Sequence, residues 1–104
     1  MRPVCEVVGS EVADGMVQVQ GRVEAKADAE GRYDFVLRKS DAAGSASMNQ
    51  SGALVVGPDG QAVVDGVTLS LDEGGHIEAA LTVTVGLDWA SCRSRIDFES
   101  VFRP

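Results

Sequence analysis

The chain has 104 residues, 44% of them hydrophobic and 24% charged, which suits one globular domain and leaves no room for a second core. Sixteen acidic against nine basic residues give a formal net charge of −7, which disfavours nucleic acid and anionic lipid as partners of the whole surface. No apolar run approaches the roughly 20 residues that cross a bilayer as a helix.

Taken in chain order, the hydrophobic pattern has a period of two. Met1-Arg2-Pro3 runs straight into a first strand over 3–9, as in a mature domain that carries an added start methionine and has lost its targeting segment. In the second strand, 16–27, Val17, Val19, Val23 and Ala25 alternate with Gln18, Gln20, Arg22 and Glu24. The third, 31–40, buries Tyr33, Phe35 and Leu37 and turns Arg32, Asp34 and Arg38 outward.

The fourth, 46–56, lies partly in a stretch, 40–52, of small and polar residues. That stretch reads either as a flexible loop leading into an edge strand or as a polar edge open to a partner chain. The fifth, 62–72, points Val67, Leu69 and Leu71 inward, and the sixth, 76–86, points Ile77, Ala79, Leu81, Val83 and Val85 inward. The seventh, 91–102, buries Cys92, Ile96 and Phe98, with Trp89 in the turn before it. Asp14-Gly15, Glu30-Gly31, Pro58-Asp59-Gly60 and Gly74-Gly75 supply turn chemistry between the runs.

Seven short antiparallel strands in one domain over 1–104 predict an all-β, immunoglobulin-like sandwich. A true immunoglobulin domain places its Trp on the third strand between two cysteines; here Trp89 comes late in the chain.

Cys5 and Cys92 fall in the first and last strands, which are natural neighbours in a sandwich. Bridged in an oxidising compartment, they would add about 4.5 kcal/mol on the chain-entropy model. Two unrelated buried thiols are the alternative.

Catalytic signatures are sparse. His76 is the sole histidine, no Cys/His cluster has metal-ligand spacing, and there is no G-x-S-x-G elbow or phosphate loop. The reading is therefore a binding protein, without cofactor or metal and not an enzyme. The informative signal is charge placement. If the third, sixth and seventh strands share a sheet, Arg32, Arg38, Arg93 and Arg95 lie on one outer face beside the neutral Thr82 and Thr84. Asp34, Glu78, Asp97 and Glu99 would offset that stripe, and both readings stand at this point.

The run Gly31-Arg32-Tyr33-Asp34-Phe35-Val36-Leu37-Arg38-Lys39-Ser40, followed by Gly44-Ser45-Ala46-Ser47-Met48-Asn49-Gln50-Ser51-Gly52, resembles the CsgH family of curli assembly inhibitors. A Cys in the first strand with another in the last adds to the likeness. The resemblance implies a periplasmic, immunoglobulin-like, client-specific chaperone. Such a protein would be monomeric and would hold a curli amyloid subunit soluble through transient contacts. The four arginines are the candidate client-binding residues. The related CsgC inhibitors carry a closely spaced Cys-x-Cys that this chain lacks, so no redox role carries over. The alternative function is an extracellular immunoglobulin-like structural or adhesion module.

Overall fold

The computed structural model describes residues 2–102; Met1, read above as an added start residue, lies outside the described residues. Seven strands follow one another: β1 (Val4–Ala13), β2 (Met16–Glu24), β3 (Glu30–Asp41), β4 (Gly44–Val55), β5 (Gln61–Ser70), β6 (His76–Val85) and β7 (Asp88–Asp97). They form an antiparallel sandwich of a three-stranded sheet, β1-β2-β5, and a four-stranded sheet, β4-β3-β6-β7. In the immunoglobulin constant type the fourth strand sits beside the fifth. Here the Asp41-to-Gly44 hairpin folds β4 back onto β3, so β4 joins the other sheet.

Alternation decides which side chains meet between the sheets. Val17, Val19 and Val23 from β2, Phe35 and Leu37 from β3, and Ile77, Leu81 and Val83 from β6 are buried almost completely. Each such side chain contributes about 1.5–3 kcal/mol relative to exposure. No polar residue belongs to this buried set among the described residues. In β5 the inward set changes phase, from Ala62 and Val64 to Val67 and Leu69. The register explains the change: Val19 faces Val67 while Gly21 faces Val64, so Asp65 and Gly66 together oppose Gln20. This bulge lets one strand bury both an even and an odd run.

Several boundaries differ from the sequence reading: β1 runs on to Ala13, β2 ends at Glu24, and three further differences have local causes. The turn assigned to Glu30-Gly31 lies earlier, where Asp28 adopts a φ of 62°, and both residues belong to β3. Trp89 is in β7 rather than in the turn before it, because Gly86, at φ 63°, and Leu87 make a two-residue connection between Val85 and Asp88. The last strand ends at Asp97 and gives way to a short helix, α1 (Phe98–Phe102). Phe98, Val101 and Phe102 have helical spacing and pack against the core, and the Phe98 and Phe102 ring centroids lie 4.7 Å apart.

The stretch 40–52 is not a flexible loop. From Gly44 onward it is strand, paired residue for residue with β3 without a register shift.

Candidate functional site

The outer face of the four-stranded sheet is fixed by its registers. Arg32 on β3 pairs with Thr84 on β6, which pairs with Trp89 on β7. In the next row Asp34 lies beside Thr82, and Thr82 beside Ser91 with their hydroxyl oxygens 3.4 Å apart. Val36, Ala80 and Arg93 form the central row. Arg38, Glu78 and Arg95 follow, then Ser40, His76 and Asp97. All four sequence-predicted arginines therefore share one face. Their common orientation follows from period-two alternation on β3 and β7, each of which buries the opposite set.

The carboxylates answer only part of this charge. Arg95 is engaged: its Nε donates to Asp97 Oδ1 at 3.0 Å and its Nη1 lies 3.9 Å from Glu78 Oε1. His76 Nε2 is also 3.9 Å from Glu78 Oε1. Among the described residues, Arg32, Arg38 and Arg93 have no carboxylate within ion-pair distance. Glu99, read as a possible neutraliser, lies on α1 and not on this face. With Glu30, Asp34, Glu78 and Asp97 facing outward beside four arginines, the face is formally neutral. The whole −7 of the chain therefore resides elsewhere.

Between Arg38, Arg93 and Arg95, with Glu78 also on its rim, the surface dips into a shallow depression of about 660 Å³ floored by Val36 and Ala80. Val36 is 37% exposed and Trp89, two rows away, 55% exposed. The arrangement suits contact rather than chemistry: guanidinium donors bordering a small apolar floor, with a flat aromatic nearby. Sequence reasoning located the arginines but missed Val36 and Trp89. Val36 is the one apolar residue on the polar phase of β3, and that is the signal that marks it. Among the described residues, no group of three or more His, Cys, Asp or Glu side chains is placed to hold a metal ion.

The disulfide forms between Cys5 on β1 and Cys92 on β7, with Cα atoms 5.9 Å apart. It joins an edge strand of one sheet to an edge strand of the other.

Comparison with known proteins agrees with this architecture. The family model described as CsgH protein matches residues 4–95. The solution structure of R. palustris CsgH is similar at 28% identity, over 95% of each chain, with a TM-score of 0.74. The SeCys form of the E. coli curli protein CsgC is similar at 11% identity, over 89% of this chain and 96% of that one, with a TM-score of 0.69. The sporulation control protein Spo0M of Bacillus subtilis shares 13% identity, over 93% of this chain and 49% of that one, at a TM-score of 0.54. The last two likenesses are of fold alone. No curated protein matches the sequence.

Proposed function

The chain belongs to the CsgH family, and from that premise we propose that it is a periplasmic chaperone-like inhibitor that keeps a curli amyloid subunit from polymerising before secretion. It acts as a binding protein and not as an enzyme, and the contacts are weak and transient. One observation carries the reading: the outer face of the β4-β3-β6-β7 sheet holds Arg38 and Arg93 without carboxylate partners around an apolar floor. Exposed guanidinium groups in solvent give small, salt-screened attractions that raise encounter rates more than they lengthen complexes. That suits a protein that must meet a client and release it. The rest of the surface, net acidic, keeps copies of the inhibitor apart. The disulfide fits an oxidising compartment such as the periplasm.

The experiment is fibrillation of a purified curli subunit followed by thioflavin fluorescence. Substoichiometric wild-type protein is expected to lengthen the lag, and less so as salt is raised. No delay at an equimolar ratio would sink the proposal.

A further inference from the structure

A sandwich of two open sheets has four edge strands, and three of these are defended. In β1 the register shifts between Glu11 and Ala13, and the strand carries Glu6 and Glu11. In β5 the Asp65-Gly66 bulge interrupts the ladder. β7 carries Asp88, Arg93, Arg95 and Asp97 and is tied to β1 by the disulfide. Charges, bulges and covered flanks are the ordinary means by which an edge is kept from pairing with a foreign strand.

β4 has none of them. Its 12 residues, Gly44 to Val55, include no charged residue and no proline, and its ladder with β3 runs without a shift. Nor is its first half covered from inside. The facing sheet has one strand fewer, and β4 is exposed at every position from Gly44 to Asn49. The hairpin closes on the pair Asp41 and Gly44, and a two-residue loop closes on a hydrogen-bonded pair. Alternation from that pair turns the N–H groups of Ser45, Ser47 and Asn49 towards the free side. The same rule applied to the Val85–Asp88 closure of the β6–β7 hairpin assigns the β6 ladder in the same phase.

We infer that the free side of β4 accepts an added strand from another chain, and that this strand is extended, polar and uncharged. The positions that would face it, Ser45, Ser47 and Asn49 on one surface and Ala46, Met48 and Gln50 on the other, are all neutral. A charged incoming side chain would find no counter-ion among these β4 positions and would lose hydration. Ser, Asn and Gln side chains can instead continue the hydrogen-bonded rows. A second copy of this chain is the disfavoured occupant, since two molecules of formal charge −7 repel. The outer row of β4 also continues the arginine face, with Ser47 beside Arg38 and Asn49 beside Val36. A strand seated on β4 thus lies alongside the proposed binding face. In identifying the occupant with the client's own strand the inference rests on the proposed function; the edge itself does not.

The test uses hydrogen exchange on the full chain with a capped ten-residue peptide of Ser, Gly, Asn and Gln. Protection is expected in 44–55 and not in 61–70, and the same peptide with alternate Glu should give none. Asn49→Pro removes a donor from the free side only, and should weaken peptide binding about ten-fold through one or two lost ladder bonds. Asn49→Lys, which keeps the backbone donor, should also weaken it and guards against a proline variant that fails to fold. Protection in 61–70 instead, binding unmoved by both substitutions, or self-association through 44–55 would overturn the inference. Protection that persists when the wild-type chain does not delay fibrillation would sink the proposed function and leave the edge site standing.

Discussion

The two long sides of the sandwich are built to different ends. Along β1 and β7 the sheets are joined by the Cys5–Cys92 disulfide, and a Cβ added at Gly9 would meet Ile96 Cδ1 at 2.7 Å, so closely does β7 approach. At the same side α1 packs Phe98, Val101 and Phe102 against the core, with the Phe98 N–H donating to the Gly75 carbonyl at 3.0 Å. Along β4 and β5 the sheets meet through lighter links near the strand ends. Lys39 Nζ donates to the Ser70 carbonyl at 2.9 Å, and the Asp72 N–H donates to Asp41 Oδ2 at 3.2 Å. Stability is concentrated on one side, and on the other an accessible edge is left beside the arginine face.

The comparison can be broken most forcefully at the disulfide. The bridge spans a sequence separation of 87, and on the chain-entropy model its loss costs about 4.5 kcal/mol. Replacing Cys5 and Cys92 by Ala should therefore lower the denaturant midpoint sharply. If the open side were an equal partner in stability, the drop would be small.

A lesser effect is expected at the open side's polar latch. The Asp72 N–H is the main influence holding the Asp41 carboxyl below its ordinary value; burial, the next largest, opposes it, and the Ala43 N–H and the Lys39 ammonium add further lowering. A carboxyl depressed on folding adds stability above its unfolded value, about 3.9 for Asp, and loses it as pH falls through the folded value. Asp41→Asn should flatten the acid limb of the stability profile below about pH 4. Its neutral-pH stability should change much less than that of the cysteine variant. An unaltered acid limb would remove Asp41 from the latch.

Much of this was legible in the chain. The strict alternation of Arg32 to Arg38 around Phe35, and of Arg93 and Arg95 around Ile96, set the faces before any sheet was assigned, because strand geometry leaves a side chain only two directions. Asp65-Gly66 hid the first half of β5, where Ala62 and Val64 point inward, since a bulge changes phase within one strand and a fixed period follows only the half with Val67 and Leu69. The first half of β4 was obscured for a different reason: with the inner side of Gly44–Asn49 uncovered, it has no burial to pattern its sequence. α1 was overrun because five residues offer a single helical turn, and Phe98 also fits the strand's parity. That Glu78 and Asp97 offset part of the stripe was legible; that both engage Arg95 and leave Arg32, Arg38 and Arg93 unpaired was a matter of register and rotamer.

The most direct measurement compares two charge reversals in the fibrillation assay. Arg38→Glu combined with Arg93→Glu alters two of the three unpaired arginines of the four-stranded sheet, whereas Arg22→Glu alters the outer face of the other sheet. The first should shorten the client's lag towards that of the client alone while the second leaves the delay intact. Equal loss from both, or no loss from the first, would contradict the assignment of binding to the arginine face.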